Sequence, residues 1–250
     1  MTTAKQQGKL YLVGIGPGDP ELMTCKAVRV LENTKIWVAP KAKENGASSA
    51  LQIAAGQVEL AGKTVLELRF PMKKIHLGRK QDPEVVQAWK EAAEVVLTHL
   101  DQGRDVAFPT LGDPALYSTA FYLLHTLQER RAELRVSIIP GITAMAACSA
   151  RVCSPLGLGD DVVSIVPAAF DDTRLRQILQ NFDAVVLMKV FRKMDRIIAL
   201  LEDLNLVDNA VLIERCGMDD QKIYTDIRKA QGRELHYFST MLVRKKQVKG

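Results

Sequence analysis

Between Leu10 and Ile139, short apolar runs alternate with helix-spaced segments, and nothing else in the chain restricts its fold so tightly. The runs Leu10–Val13, Ile36–Ala39, Thr64–Phe70, Asp105–Phe108 and Val136–Ile139 have the length of strands. The first ends in glycines, the second is stopped by Pro40 and the last by Pro140-Gly141. Between them, Glu21–Glu32 carries Leu22, Cys25, Val28 and Leu31 at helical spacing, and Ser48–Gln57 reads as a short helix. Val85, Trp89, Ala92, Val96 and Leu100 repeat the same period, and Pro114–Arg130 reads as a fourth helix. Repeated strand–helix alternation predicts a doubly wound parallel sheet with helices on both faces.

The second half breaks the alternation. Val162–Val166, Ala184–Val190, Val211–Glu214, Lys222–Ile227 and Phe238–Val243 read as strands, with helices at Leu175–Leu179 and Lys193–Leu204. Successive strands without a helix between them predict a mixed sheet. The fold class is therefore α/β in two domains, 1–141 with the parallel sheet and 142–250 with the mixed one. No Pro/Gly/Ser-rich linker marks the boundary.

Composition excludes several function classes. The 250 residues are 47% hydrophobic and 25% charged, with no run of membrane-span length and no leader-like start. A cytoplasmic protein is expected, with no membrane partner. Of the net charge of +5, Arg244, Lys245, Lys246 and Lys249 lie in the last seven residues, so the body is near neutral and lacks a nucleic-acid footprint. Cys25, Cys148, Cys153 and Cys216 form no CxxC pair and have no histidine cluster beside them, so no metal is expected.

Gly-Asp-Pro occurs twice, at Gly18-Asp19-Pro20 and Gly112-Asp113-Pro114, each time after a strand. Glycine permits the turn, aspartate is a preferred N-cap and proline suits the first helical position. Each triplet is expected to open a helix. An aspartate cap occupies the free N–H groups that would otherwise attract an anion, which disfavours phosphate and favours a hydroxyl, an adenine edge or a cation. The first loop, Gly14-Ile15-Gly16-Pro17-Gly18, is spaced G-x-G-x-G and not G-x-G-x-x-G, so a dinucleotide-binding dehydrogenase is disfavoured.

Three ordered stretches, VGIGPGDPELMTCKAVRVL, TLGDPALYST and IIPGITAMAAC, resemble the motifs of the tetrapyrrole methyltransferases. The resemblance runs from about Leu10 to Val243. It implies two α/β domains with a cleft between them, S-adenosyl-L-methionine as cofactor, a porphyrin- or corrin-type substrate and a homodimer. FPMKK, TLGDPALYST, VVLMKVFRK and YFSTMLV look like the branch that methylates precorrin-2, or its cobalt complex, at C-20 in cobalamin biosynthesis. The alternatives are methylation of another ring position, as with uroporphyrinogen III or precorrin-4 substrates, and a non-catalytic ligand-binding relative.

By the same resemblance, Leu111, Gly112, Asp113 and Leu116 form the loop that cups the cofactor, with Thr143, Ala144, Met188, Arg215, Thr240 and Met241 as further cofactor contacts. Pro17 matches the proline lining the substrate side. A sister branch carries an acidic residue at the end of the second strand; Pro40 and Lys41 stand there in this chain, so that acid/base role does not transfer. Methyl transfer from a sulfonium needs alignment and exclusion of water more than a strong base. His76, Tyr117 and Glu214 are the candidates for accepting the proton lost afterwards. A polycarboxylate ring calls for basic residues at the rim, and Lys73, Lys74, Arg79 and Lys80 on one stretch, with Lys189, Arg192 and Lys193 on another, supply them. Ala144, Ala146, Ala147, Ser149 and Ala150 put small side chains on the helix after Gly141.

Overall fold

The structure, a computed structural model, describes residues 7–42, 45–71, 81–168 and 171–246. The chain divides into two compact units, Met1–Thr143 and Ala144–Gly250. Lys73, Lys74, His76, Arg79 and Lys80 lie outside the described residues.

The first unit holds β1 (Leu10–Gly14), α1 (Cys25–Asn33), β2 (Ile36–Lys41), α2 (Ser49–Ala55), β3 (Thr64–Arg69), α3 (Pro83–Asp101), β4 (Val106–Thr110), α4 (Ala120–Arg130) and β5 (Val136–Ile139). All five strands are parallel, in the order β3-β2-β4-β1-β5. Alternate residues of three strands, Leu10 and Leu12, Ile36 and Val38, Val106 and Phe108, face one core with Val96, Leu100, Leu123 and Leu127 of α3 and α4. Trp37, fully buried, faces the other side and donates its indole N–H to the Thr34 carbonyl at 2.9 Å. Pro40 does not stop β2. It sits inside the strand opposite Leu68 of β3, beyond Ile36 and Trp37, where the pairing with β4 ends. A proline there breaks no ladder on the β4 side.

The strand order positions the loops. The chain leaves β1 and passes over β4 to reach β2; it leaves β4 and passes over β1 to reach β5. The loops after these two neighbours therefore cross at the carboxyl ends of their strands, the usual ligand position in open α/β sheets.

The second unit comprises α5 (Ala144–Arg151), β6 (Val163–Pro167), α6 (Asp172–Asn181), β7 (Ala184–Met188), α7 (Met194–Asp203), β8 (Ala210–Glu214), β9 (Lys222–Tyr224) and β10 (Ser239–Arg244). Its sheet runs β6-β7-β10-β8-β9, with β6 parallel to β7 and the other pairs antiparallel. Val185, Leu187, Leu212, Met241 and Val243 face a core with Leu175, Leu179, Ile197 and Leu201 of α6 and α7. β7 ends at Met188, two residues before the expected Val190, because Lys189 takes φ 62° and leaves the strand. β9 stops at Tyr224 and not at Ile227: Asp226 caps a 3-10 turn, Ile227–Ala230, which turns Ile227 into the core. Among the described residues, no helix is long and apolar enough to cross a membrane.

Candidate functional site

Three motifs far apart in sequence meet at the carboxyl ends of β4, β1 and β5, which are neighbours in the sheet. Gly16 donates its N–H to the Gly112 carbonyl at 3.3 Å, and Gly112 donates back to Gly16 at 2.7 Å. Both glycines have positive φ, 82° and 70°, which bulkier residues rarely adopt. Behind them the backbone is packed without room for side chains. A Cβ on Gly14 would stand 2.6 Å from the Gly141 nitrogen and 2.7 Å from the Gly112 oxygen, and one on Gly141 would collide with that same oxygen. A Cβ on Gly112, in contrast, meets nothing within 4 Å. Glycine is required at 14 and 141 by close packing, whereas at 112 it leaves the loop backbone open to an approaching group.

Neither Gly-Asp-Pro triplet opens an α-helix. Asp19 accepts the Glu21 N–H at 2.9 Å and caps the 3-10 turn Pro20–Leu22; α1 starts later, where Thr24 accepts the Ala27 N–H at 3.1 Å. After Asp113 the chain makes turns up to Thr119, and α4 begins at Ala120. Ser118, not Asp113, accepts the Ala120 N–H, at 3.1 Å, and its hydroxyl also meets that of Thr110 at 2.8 Å. Asp113 works as a clasp. Oδ1 accepts the Ala115 N–H at 2.7 Å and shapes its own turn, and Oδ2 accepts the Gly141 N–H at 2.9 Å. A carboxylate with two backbone donors is a charge-assisted link, stronger than a neutral one. The expectation of an aspartate cap opening a helix holds for Asp19, whose helix is a 3-10 one, and is corrected for Asp113: the short Pro114–Leu116 turn competes with the helix and wins, because Asp113 satisfies the turn and the neighbouring loop together.

In the second unit, Lys189 and Arg215 flank the start of β10. Lys189 donates its backbone N–H to Ser239 at 3.0 Å, and Arg215 donates its own to Phe238 at 2.8 Å. Tyr117, Lys189 and Arg215 all have positive φ, 51°, 62° and 53°. Such strain persists only where surroundings hold it, and it concentrates at functional sites. The Lys189 ammonium lies 5.4 Å from the centre of the Tyr237 ring, and the Arg192 guanidinium 5.0 Å from that of Phe191. The two rings meet edge to face at 5.2 Å, and Tyr237 meets Phe238 likewise at 5.6 Å. Two of the expected rim cations therefore sit on an aromatic shelf, an arrangement worth about 0.5–1 kcal/mol per pair for cations as exposed as Arg192.

The remaining candidates are placed as follows. Pro17 is buried in the loop after β1, and Leu111 and Leu116 are half-buried on either side of Asp113. Thr143 and Ala144 lead into α5, half-buried. Thr240 pairs with Met188 across β10 and β7 and lies on the face opposite Met241, whose side chain is fully buried in the core. Thr240 hydrogen-bonds the Cys148 thiol, which also bonds the Cys216 thiol; that second bond and burial push Cys148 far upward. The Arg215 side chain pairs with Asp220 and lies 3.2 Å from Nε2 of His236. Glu214 is 5% exposed and accepts the His236 N–H. Tyr117 is 43% exposed, and burial of its hydroxyl raises its titration, so it holds its proton at neutral pH. Tyr237, Phe191 and His236 were not singled out from sequence; the aromatic run His236-Tyr237-Phe238 beside a strand start was the available signal. Among the described residues, no three His, Cys, Asp or Glu side chains are grouped to hold a metal ion.

The parallel sheet with its clasped glycine loops, followed by a mixed sheet with a cationic aromatic shelf, defines a two-unit α/β fold. The sequence profile of the Tetrapyrrole (Corrin/Porphyrin) Methylases matches residues 9–231, and the chain belongs to this family. A cobalt-precorrin-2 C(20)-methyltransferase of Salmonella typhimurium is 32% identical over 95% of this chain and 97% of its own length. A precorrin-2 C(20)-methyltransferase of Sinorhizobium sp is 34% identical over 94% and 95%. The crystal structure of a uroporphyrin-III C-methyl transferase from Thermus thermophilus, complexed with S-adenyl homocysteine, superposes with a TM-score of 0.67 at 19% identity, over 95% of this chain and 92% of that one.

Proposed function

We propose that the protein methylates precorrin-2, or its cobalt complex, at C-20, with S-adenosyl-L-methionine as methyl donor, in cobalamin biosynthesis. The observation that carries this reading is the likeness to two C-20 methyltransferases at 32% and 34% identity over nearly the whole of both chains.

The residues suit such a cofactor. The open side of Gly112 leaves room for a ligand against the loop backbone. The Asp113 side chain, with both oxygens on backbone donors, lies beside that opening, and a carboxylate there favours a cationic ligand over a phosphate. Leu111 and Leu116 supply apolar contact on either side. We assign cofactor contact to these residues, to Thr143 and, in the second unit, to Ala144, Met188, Arg215, Thr240 and Met241. Met241, with its side chain in the core, is left only a backbone role. When bound, the cofactor supplies a methyl group already activated on a sulfonium. The chain's task is then to bind, orient and exclude water. Pro17, Lys189 and Arg192 are assigned to the substrate, the two cations to its carboxylates and the shelf beneath them to its ring edge.

We take the chain to act in the cytoplasm and, as the family resemblance implies, as a homodimer. The exposed Leu158, Val162 and Val163, on and beside the edge strand β6, offer apolar surface for such pairing.

The test is anaerobic incubation with S-adenosyl-L-methionine and precorrin-2, with and without cobalt, followed by mass spectrometry and location of the label from a 13C-methyl donor. One methyl at C-20 is expected. A methyl elsewhere on the ring would move the protein to another branch of the family, and binding without transfer would make it a ligand-binding relative.

A further inference from the structure

His236 has a hydrogen-bond donor facing each ring nitrogen. The Phe238 N–H points at Nδ1 from 3.1 Å, and the Arg215 guanidinium faces Nε2 at 3.2 Å. Its backbone is held as well: Glu214 accepts its N–H, and its carbonyl accepts the Ser239 hydroxyl. The ring also packs against Phe238, centroids 4.9 Å apart. A neutral imidazole has one lone pair and can accept from one of the two donors. An imidazolium carries N–H on both nitrogens, and each would then face another donor.

We propose that His236 is a positioning residue: as the neutral ring it anchors the Tyr237–Phe238 segment beside Lys189, and as an imidazolium it releases that segment. This role rests on the reading of Lys189 and its aromatic shelf as part of the substrate site. The segment is short, and the anchor acts at close range. The Phe238 N–H bonded to the ring belongs to the residue next to Tyr237, which lies under the Lys189 ammonium. The lost bond therefore frees the ring that holds Lys189 in place.

The charges around the ring set the direction. From the end of β8, the buried Glu214 favours protonation; from the following loop, Arg215 opposes it and Asp220 favours it. On β9, Lys222 lies 3.9 Å from Glu214 and offsets part of that carboxylate. Burial is the largest influence, and the net displacement is downward from the ordinary value of 6.5. The anchor is thus complete above pH 6.5 and is lost as the pH falls through the lower folded value.

Two readouts test this. The first needs no substrate: histidine ring 15N and amide spectra of the whole chain are recorded against pH, with His236 assigned from His236→Asn. The expected result is a His236 midpoint below 6.5, followed at the same midpoint by the Phe238 amide and the Tyr237 ring signals, with that movement absent in His236→Asn. A His236 midpoint at or above 6.5, or a Phe238 amide indifferent to it, overturns the proposal. The second readout is kinetic. For His236→Ala, the KM for the tetrapyrrole should rise about ten-fold, the scale of one lost hydrogen bond, with kcat held. His236→Asn, whose Oδ1 can accept the Phe238 N–H, should restore most of that loss and remove its pH dependence. An unchanged KM in His236→Ala, or a fall confined to kcat, overturns the positioning role. Failure of the wild-type chain to methylate any tetrapyrrole would instead remove the proposed function, and the spectra would still decide whether His236 anchors the segment.

Discussion

Oδ2 of Asp113 accepts the backbone N–H of Gly141 at 2.9 Å, and so ties the loop after β4 to the turn after β5 across the intervening end of β1. The two residues are 28 positions apart, and the link joins the second and third of the three motifs that meet there. It turns an aspartate that looks like a helix cap into the clasp of the proposed cofactor loop.

Removal of the clasp should therefore affect the ligand more than the fold. Asp113→Ala leaves two backbone N–H groups without their partner and should cost about 1–3 kcal/mol of stability. Affinity for S-adenosylhomocysteine should fall by more than the same free energy, because the loop also loses its shape. Paired urea unfolding and calorimetry decide this; an affinity loss no larger than the stability loss would reduce Asp113 to a structural residue.

The glycines of the same cluster should separate packing from binding. In Gly141→Ala the new Cβ meets the Gly112 carbonyl and the Gly14 backbone, neither of which can rotate away, so a stability loss of about 3 kcal/mol or more is expected. In Gly112→Ala the new methyl meets no protein atom, and only the positive φ of 70° opposes it, at about 1–2 kcal/mol. That methyl would occupy the open space assigned to the ligand. Gly112→Ala should stay folded and bind S-adenosylhomocysteine about ten-fold more weakly or worse; unaltered binding would move the ligand away from this loop.

Acid should loosen the second unit first where its carboxylates hold its end together. Asp161 accepts the Leu158 N–H and pairs with Arg244, and Asp183 accepts the Val162 N–H and pairs with Lys246. Those bonds hold both carboxyls below their ordinary value of 3.8. A depressed carboxyl contributes stability that is present above its unfolded value and lost as pH falls through the folded one. The thermal midpoint should fall steeply below about pH 4. Arg244→Met should lower it already at pH 7 and flatten the remaining acid dependence. An equally steep acid limb in the variant would place the acid sensitivity elsewhere.

The four cysteines should divide by exposure. Cys25 and Cys153 are exposed, Cys148 and Cys216 buried. Reaction with a thiol reagent in the native state should modify two residues quickly and two only on unfolding, with Cys148 last because its hydrogen bond to Cys216 and its burial stabilise the protonated thiol. Peptide mapping after a short pulse identifies the pair; early labelling of Cys148 would contradict the packing of α5 on β10.

Most strands and helices are legible in the sequence, since each depends on a local period of apolar residues that one face must bury. The elements that differ from expectation are those whose ends depend on distant partners. β2 continues through Pro40 because β4 no longer pairs with it there, and β7 stops at Met188 because Lys189 turns to bond Ser239. α4 starts at Ala120 because Ser118 accepts the N–H of that residue, while Asp113 is engaged by Gly141 and its own turn. The candidate loop residues were visible as motifs, and Lys189 and Arg192 as cations. Tyr237, 48 positions from Lys189, and His236, 21 positions from Arg215, were not, because contacts between distant residues leave no local pattern.

By itself, the sequence determined the class of fold, the family and the identity of the glycine loops, because periodicity, turn chemistry and motif spacing are properties of neighbouring residues. Only the tertiary structure decided that those loops are stitched to one another, that Asp113 clasps Gly141, and that His236 stands between two donors. Hydrogen bonds of that kind form between segments brought together by the sheet order, and no local feature of either segment specifies its partner.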